Sequence, residues 1–469
     1  MRNWNLKAYC LLTVLFAVSA TAKNPEDRTF NHKTVKWLCS TKTNLWTDKG
    51  YLNVTSWDND TLSYISVDSS TKYQKIEGWG GCFNEKGWEA MSILSTTERT
   101  KILKALFDSK TGLKLNICRT PIGASDYALT NYSLNETPND FLMKNFSIDR
   151  DKQMLIPYIK AAMRFRPDLK LWGIPWTPPS WMKDNNKLAN GGNFISSREN
   201  MEALAIYFEK YIKAYRALGL NIYMIMPQNE PTQWSEFVSC VWKAEQLRDF
   251  IKNHLVPTLK KDNVKCDIFL GSLTDPDYNY VTTSMNDSVA SKYIAGVGCQ
   301  WRAAPSALKS HFDYPNLKLM QTETECGVKE LEGDSWQYAE LQFGIIKKYM
   351  EAWVNSYMLW NLVLDETEKN STGWPQYSPI EVNKITKKVL FYPQYYVFKH
   401  FSSFVKPGAF RIKNIGNYND KIAFENPNGN IVIVIQNSSE KIKQLAININ
   451  GLKIKPSLPP HFWSTFTIR

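Results

Sequence analysis

Strand-like and helix-like segments alternate eight times through the middle of this chain. The strand-like runs end near Cys82, Arg119, Trp176, Glu230, Gly271, Trp301, Glu323 and Asn361. Most of the intervening stretches carry apolar residues at the three-to-four-residue spacing of amphipathic helices, as in residues 198–217, 243–259 and 335–353. Because eight such units suit a closed parallel sheet, the pattern predicts an α/β fold with a (β/α)8 TIM barrel over residues 76–402.

The segments on either side of this region are predicted to form β-structure. Residues 23–75 and 403–469 are rich in short alternating runs, such as the one from Ile431 to Ile435 after an Asn-Pro-Asn-Gly-Asn turn. The N-terminal segment is too short to make a stable sheet alone. We therefore expect the two segments to pair in one β-sandwich domain that accompanies the barrel.

The first residues have the features of a secretory leader. Arg2 and Lys7 precede the apolar residues 8–20, and small residues follow, which predicts a signal peptide over residues 1–22. No later segment is apolar for long enough to span a bilayer. The predicted location is the secretory pathway, with a lysosomal or extracellular destination. Sequons for N-glycosylation agree with this route and lie at Asn53, Asn59, Asn131, Asn135, Asn145, Asn286, Asn370 and Asn437.

Charge and composition restrict the partners. The formal net charge is +12, and removal of the leader lowers it by two. This charge favours peripheral contact with anionic lipid surfaces or acidic glycans, and no basic run with interleaved aromatic residues suggests nucleic acid. The five histidines are scattered without a metal-binding spacing, and there is no nucleotide-binding loop, so no metal and no cofactor are predicted. Cysteines in apolar runs, such as Cys118 and Cys266, are expected to be buried free thiols.

Two of the strand-like runs end on a glutamate. Glu230 follows Ile225-Met226-Pro227-Gln228-Asn229, and Glu323 follows Leu319-Met320-Gln321-Thr322. A TIM barrel carries its catalytic groups at the carboxyl ends of its strands. Hydrolysis of a glycosidic bond with retention needs one carboxylic acid to protonate the departing oxygen and one carboxylate to attack the anomeric carbon. Glutamates after strands four and seven are candidates for these two roles.

A series of short motifs follows a specific order along the same region. They are Gly78-Trp79-Gly80-Gly81, Arg119-Thr120-Pro121, Ser125-Asp126-Tyr127, Pro175-Trp176-Thr177-Pro178-Pro179, Asn229-Glu230-Pro231, Thr322-Glu323 and Leu359-Trp360-Asn361. In order and spacing they resemble the lysosomal acid β-glucosidases (glucosylceramidases) and their relatives in glycoside hydrolase family 30. The resemblance extends from about residue 76 to the C-terminus, and it implies a retaining glycosidase.

The resemblance also implies the catalytic roles. Glu230 matches the acid/base, Glu323 the nucleophile, and Asn229 the donor to the sugar 2-hydroxyl. The acid/base needs a raised pKa, and the nucleophile needs donors or a cation nearby, which Arg119 at the end of the second strand is suited to supply. Glu325 is the rival nucleophile, because this chain carries one extra residue in the segment that follows. We favour Glu323 because it lies directly at the strand end.

Further positions match the sugar-binding residues of the family. An acidic side chain can accept hydroxyl protons, and the face of a tryptophan can stack on a sugar ring. The predicted substrate-binding residues are Asp126, Trp176, Asn229, Arg119, Trp301, Trp360 and Asn361. On either side of Trp301, Gln300 and Arg302 depart from the His-Trp-Tyr cluster of the family, which leaves the aglycone side open.

Three functional hypotheses follow. The first is a retaining β-glucosidase that acts on glucosylceramide-type glycolipids by double displacement. The second is a secreted retaining glycan hydrolase, such as an endo-β-1,6-glucanase, which the changes around Trp301 keep open because pocket polarity sets specificity. The third is a non-catalytic carbohydrate-binding protein on the same barrel, and the retention of both Glu230 and Glu323 argues against it.

Overall fold

The computed structural model describes residues 34–57, 63–325 and 334–469. The predicted leader, the Asn59 sequon and Cys326 lie outside the described residues. In chain order the strands are β1 (Val35–Thr41), β2 (Thr47–Leu52), β3 (Thr55–Ser56), β4 (Ser63–Lys75), β5 (Gly78–Cys82), β6 (Ile117–Pro121), β7 (Lys170–Ile174), β8 (Ile222–Ile225), β9 (Asp267–Leu273), β10 (Ile294–Cys299), β11 (Lys318–Gln321), β12 (Ser356–Asn361), β13 (Val363–Asp365), β14 (Ile380–Val382), β15 (Val389–Phe391), β16 (Phe410–Ile415), β17 (Lys421–Glu425), β18 (Ile431–Asn437), β19 (Lys443–Ile449), β20 (Leu452–Ile454), β21 (Ser457–Leu458) and β22 (Phe462–Ile468).

Strands β5 to β12 form a closed barrel of eight parallel strands, which closes where β12 pairs with β5. This confirms the TIM barrel. The strands are almost entirely buried, as parallel strands covered on both faces must be. Several strand ends differ from the sequence prediction, most of all that of β8, which ends at Ile225, so Glu230 lies beyond the strand rather than closing it. The intervening residues include Pro227, which lacks the N–H that a central strand needs for its ladder.

The Gly78-Trp79-Gly80-Gly81 motif has a packing explanation. A Cβ atom on Gly80 would lie 1.5 Å from the carbonyl oxygen of Ile117 on the neighbouring strand β6. Backbone cannot move aside as the end of a side chain can, so only glycine permits β5 and β6 to approach this closely. The motif therefore closes the barrel rather than binding a ligand.

Helices surround the barrel and are set by local signals. Ser95 and Glu98 form a capping box at the start of α2, and the hydroxyl of Ser197 caps α4. The segment from Ala244 to Lys261 is helical throughout, with a π-helical turn at Phe250–Leu255. The helices are α1 (Glu85–Ser92), α2 (Thr96–Phe107), α3 (Leu155–Met163), α4 (Arg198–Ala217), α5 (Ala244–Asp249), α6 (Val256–Lys261), α7 (Asn279–Met285), α8 (Ala304–Asp313), α9 (Ser335–Glu351) and α10 (Pro393–Ser402).

The N- and C-terminal segments share one β-structure, as predicted. Strand β1 pairs with β22, and the long strand β4 pairs with β16 on one side and β19 on the other. An apolar core of mostly β-branched and aromatic side chains fills its interior. The domain is attached to the barrel through α9 and α10, where Trp463 stacks on Trp336 and His400 hydrogen-bonds to Thr465.

A small sheet extends the loop that follows the last barrel strand. Strands β13, β14 and β15 pair side by side, and the connection between β13 and β14 covers residues 366–379. Backbone hydrogen bonding from Ser371 to Asp126 attaches this connection to the loop after β6. The sheet therefore holds an irregular segment against the carboxyl ends of the barrel strands.

Other sequence features can be located in the described part of the chain. Asn135, Asn370 and Asn437 are buried, whereas Asn53, Asn131, Asn145 and Asn286 are exposed and so remain candidate glycosylation sites. The cysteines of the described residues are free thiols, as predicted. Cys118 is fully buried, but the prediction of burial is wrong for Cys266, which is only partly buried just before β9. Among the described residues, no helix is long and apolar enough to cross a bilayer, and no cluster of histidine, cysteine and acidic residues is arranged to hold a metal.

Candidate active site

A cleft of about 430 Å³ opens at the carboxyl ends of the barrel strands. Its walls combine acidic, amide and aromatic side chains, which is the composition expected of a sugar-binding site. Both Glu230 and Glu323 are part of it. The lining residues are Asp126, Trp176, Asn229, Glu230, Gln233, Ser235, Phe237, Thr274, Trp301, Arg302, Glu323, Glu325, Trp374 and Gln376.

Glu323 is held by two donors at the end of β11. Nη1 of Arg119 donates to Oε2 at 2.8 Å, and the indole Nε1 of Trp301 donates to Oε1 at 3.0 Å. Arg119 is fully buried, and its guanidinium stacks over the ring of Trp176 at 4.2 Å. A buried cation and an indole N–H both favour the ionised carboxylate. Of the two rival nucleophiles, Glu323 is thus the one that Arg119 and Trp301 hold.

Asn229 has an amide whose orientation is fixed from behind the cleft. Its Oδ1 accepts hydrogen bonds from Nη2 of Arg119 at 2.9 Å and from the hydroxyl of Ser272 at 2.8 Å. With the oxygen occupied, the Nδ2 group is left to face the cleft as a donor. This orientation is the one that a donor to a sugar hydroxyl requires.

Glu230 has a different environment from Glu323. Its Oε1 accepts a hydrogen bond from Nε2 of Gln300 at 2.7 Å, a neutral donor. The residue has a φ of 49°, in the left-handed region that costs a non-glycine residue about 1–2 kcal/mol. A hydrogen bond from its N–H to the carbonyl oxygen of Ser272, 3.1 Å long, holds this conformation. The turn after β8 thereby directs the carboxyl into the cleft.

The pKa values of the two glutamates are coupled. Burial and the negative charge of Glu323 raise the pKa of Glu230 well above its ordinary value. Burial also raises the pKa of Glu323, but Arg119 and Trp301 act against that effect. Because two neighbouring buried carboxylates resist holding two negative charges, the first proton stays on the group without a cation. These contacts favour a pair that retains one proton on Glu230 while Glu323 is ionised.

One side of the cleft is suited to a sugar ring. Asp126 is buried, and its Oδ1 atom has no hydrogen-bond partner in the described structure. Burial and the charge of Glu323 raise the pKa of Asp126 to about 7. Beside it, Trp176 stacks on Trp360 with ring centroids 5.3 Å apart. A carboxyl with one unpartnered oxygen next to an aromatic face matches the hydroxyls and the apolar face of a sugar.

The cleft also carries residues that the sequence motifs did not reveal. Trp374, from the loop between β13 and β14, stacks on Trp301 with centroids 6.1 Å apart. Arg302 donates to Asp275 at 2.5 Å, and Gln233 donates to the other oxygen of that carboxylate. No strand-end signal marks Trp374 or Gln233, because both reach the cleft from irregular loops. Gln300 was visible as the residue before Trp301, but its contact with Glu230 was not.

The predicted site residues fall into two layers. Asp126, Trp176, Asn229, Glu230, Trp301 and Glu323 are on the cleft wall, and so is the rival Glu325. Arg119, Trp360 and Asn361 are not among the residues that line the cleft in the described part of the chain, and they lie behind its wall. Asn361 is buried and bonds to Asn84 at 2.8 Å and to Gln376 at 3.5 Å. These three residues therefore support groups on the wall instead of facing the cleft themselves.

Comparisons with known proteins agree with this geometry. The family model of the glycosyl hydrolase family 30 TIM-barrel domain matches residues 76–405. The family model of the glycosyl hydrolase family 30 beta sandwich domain matches residues 408–466. Putative glucosylceramidase 1 of Caenorhabditis elegans is 32% identical over 81% of this chain and 77% of its own length. Lysosomal acid glucosylceramidase of Mus musculus is 28% identical over 85% of this chain and 82% of its own length. The solved structure of the endo-beta1,6-glucanase BT3312 is 25% identical, with a TM-score of 0.81 over 92% of this chain and 99% of that one.

Proposed function

This chain belongs to glycosyl hydrolase family 30, and from that premise we propose that it is a retaining β-glucosidase acting on glucosylceramide-type glycolipids. The observation that carries the proposal is the asymmetry of the two glutamates in one cleft. Glu323 is bonded to a cation and an indole N–H, whereas Glu230 is bonded to a neutral amide. Double displacement needs this difference between an ionised nucleophile and a protonated acid.

In the first step, Glu323 attacks the anomeric carbon while Glu230 transfers its proton to the departing oxygen. The bond between that oxygen and the sugar breaks, and a covalent glycosyl ester forms on Glu323. The Nδ2 group of Asn229 binds the 2-hydroxyl, a bond that strengthens as positive charge develops on the ring. Once Glu323 is esterified its charge is lost, so the pKa of Glu230 falls towards the value needed for a base.

In the second step, Glu230 removes a proton from water, and the resulting nucleophile displaces Glu323 from the anomeric carbon. The sugar leaves with the same anomeric configuration as the substrate, and both carboxyls return to their starting states. Asp126 accepts sugar hydroxyl protons during both steps, and the ring face of Trp176 excludes water. The reaction requires only the side chains of the cleft and water.

An aromatic rim supports a lipid aglycone. Trp301, Trp374 and Phe237 line the cleft, and Trp374 is 37% exposed. Trp234 lies next in sequence to the lining residues and is 59% exposed. Exposed aromatic groups around a polar centre suit a substrate with a sugar head and apolar chains. We further propose that the protein makes peripheral contact with anionic lipid, and that it is lysosomal or extracellular after secretion.

The catalytic roles are tested by covalent trapping. A 2-deoxy-2-fluoro-β-glucoside with an activated leaving group forms the ester but hydrolyses slowly, so peptide mass spectrometry should find the added sugar on Glu323. Glu230→Gln should reduce kcat/KM by about 10²–10⁴-fold on an unactivated substrate. On an activated aryl glucoside, whose oxygen departs without protonation, azide should restore turnover because it replaces water in the second step without needing a base. Label on Glu325, or a product of inverted configuration, would contradict the proposal.

A second candidate, an endo-β-1,6-glucanase, is favoured by one observation. Arg302, Asp275 and Gln233 form a hydrogen-bonded polar group beside the acid/base. Polar groups at that position suit the hydroxyls of a sugar leaving group better than a lipid. Glucosylceramide in vesicles that contain anionic lipid should be compared with a β-1,6-glucan, by measuring released sugar at pH 5. Glucan hydrolysis that Arg302→Leu abolishes, while an aryl β-glucoside is still cleaved, would favour the second candidate.

A further inference from the structure

A buried amide links the two catalytic glutamates. Gln300 follows β10 and is fully buried. Its Nε2 donates to Oε1 of Glu230 at 2.7 Å, and its Oε1 is 2.7 Å from the hydroxyl of Thr322, the residue before Glu323. Thr322 is itself buried and is attached to β10 through its N–H, which donates to the carbonyl oxygen of Cys299 at 2.9 Å. The amide is thus supported from behind.

The hydroxyl of Thr322 determines which way the amide faces. Its shorter hydrogen bond, 2.7 Å long, goes to Oε1 of Gln300, and a longer contact of 3.3 Å goes to the carbonyl oxygen of Cys299. The shorter bond favours the orientation in which the NH₂ end of the amide faces Glu230. An amide N–H can donate but cannot accept a hydrogen bond, and an ionised carboxylate can only accept. In this orientation Gln300 is the donor and Glu230 the acceptor in both charge states of the carboxyl.

We infer that Gln300 is a positioning residue that keeps the acid proton of Glu230 on its Oε2 atom. Because Oε1 accepts a hydrogen bond from Gln300 in both charge states, a proton on Oε1 would face an N–H and break that bond. The neutral carboxyl consequently carries its proton on the other oxygen. This inference rests on the proposed function, because it concerns the oxygen that protonates the departing group and later receives a proton from water.

The same bond favours the ionised form of Glu230. Donation from Gln300 lowers the pKa of Glu230, against the larger effects of burial and of the charge of Glu323. The amide does not titrate, so this contribution is constant with pH. The other charged groups that act on Glu230 or share its cleft are Glu323, Asp126, Arg119, Arg302 and Glu325. Gln300 also lowers the pKa of Glu323. Removing the amide leaves the charged groups in place and should raise the pKa of both glutamates, so the acid limb of the pH profile should move upward together with the alkaline limb.

The test compares Gln300→Leu with the wild-type enzyme on two aryl β-glucosides. For the variant we expect the alkaline limb of kcat/KM against pH to move upward by about one unit. We also expect kcat/KM to fall by about 10–100-fold on a methylumbelliferyl glucoside, whose departing oxygen needs the proton. The loss should be less than about threefold on a dinitrophenyl glucoside, which leaves without protonation. A purely structural residue would affect both substrates equally.

A second variant and a control make the result decisive. Thr322→Val keeps the shape of the side chain but removes the hydroxyl that orients the amide, so it should shift the alkaline limb and the substrate preference in the same directions. Gln74→Leu removes a different buried amide, which donates to Met350 and Val354. It should leave the pH limbs and the substrate preference unchanged, even if the protein unfolds at a lower temperature.

The outcomes separate this inference from the proposed function. Wild-type protein that hydrolyses no β-glucoside would refute the function. Active wild-type protein would uphold β-glucosidase activity, and the variants then decide the role of Gln300. If Gln300→Leu and Thr322→Val keep the wild-type alkaline limb and lose activity equally on both substrates, Gln300 does not position the acid proton.

Discussion

Arg119→Met tests how the fold keeps the nucleophile charged. The substitution keeps the length and most of the apolar contacts of the side chain but removes its charge. Glu323 then loses the donor that lies 2.8 Å from Oε2, and Asn229 loses the donor at 2.9 Å. Glu323 would remain buried, with Trp301 as its remaining donor among these contacts. The pKa of Glu323 should therefore rise.

The size of the effect follows from the contact distance. An N to O distance of 2.8 Å places the charge centres about 4 Å apart, and two unit charges at that distance interact by about 4 kcal/mol at an effective dielectric constant of about 20. Because about 1.4 kcal/mol corresponds to one pKa unit, the upper limit of the rise is about 3 units. Water entry and relaxation reduce it, so we expect a rise of about 2 units.

The assay is kcat/KM against pH on an aryl β-glucoside. The acid limb reports ionisation of the nucleophile, and it should move towards higher pH by about 2 units in Arg119→Met. Activity should fall most at acidic pH and recover as the pH rises, because a higher pH ionises Glu323 again. The matched control is Arg411→Met. Arg411 is also buried and stacked, 4.0 Å over Tyr73, but its partner is the neutral Gln74.

The control should reduce stability without moving the acid limb. An Arg119→Met enzyme that keeps the wild-type acid limb, while losing activity by the same factor at every pH, would refute the reasoning. Arg119 would then only hold the shape of the site, and the ionisation of Glu323 would depend on other groups.

Three further outcomes are expected. Asp126→Ala removes an unpartnered buried acceptor, so kcat/KM should fall by roughly 100-fold in Michaelis kinetics. Burial raises the pKa of Asp151 to about 7, so the folded state binds that proton more tightly than the unfolded state. The stabilisation from this proton is complete below about pH 4 and is lost as the pH rises towards 7, at up to about 1.4 kcal/mol per pH unit. In Asp151→Asn, the free energy of unfolding measured with urea should lack this contribution to its dependence on pH. Gly80→Ala should lower the free energy of unfolding by about 3 kcal/mol through a clash with backbone, whereas Gly344→Ala, which meets no atom within 4 Å in α9, should not destabilise the protein.

Much of the barrel was readable from the sequence, because its strands are continuous apolar runs separated by amphipathic helices. All eight predicted strand segments contain or overlap strands β5 to β12. Boundaries were less accurate. The run before Glu230 continues to be buried after β8 ends at Ile225, and burial alone does not distinguish a strand from a buried turn. Pro227 was the local sign that the ladder stops.

The candidate site was only partly readable for a similar reason. Glu323 lies just past the end of β11, where a barrel places its catalytic groups, so its position followed from the strand pattern. Trp374 and Gln376 reach the cleft on an irregular loop, which β13, β14 and β15 hold in place. No periodicity in the sequence marks such a loop. The position of this loop at the cleft depends on the pairing of β13, β14 and β15, which is a tertiary feature.

The sequence by itself determined the barrel, the paired terminal segments and the two glutamates, because each depends on local patterns or on motifs in a fixed order. Tertiary structure alone decided which groups surround those glutamates. Arg119 and Glu323 are 204 positions apart in the chain, and Gln300 and Glu230 are 70 apart. The protonation of each carboxyl depends on contacts a few ångströms long, and only barrel closure brings such distant residues into contact.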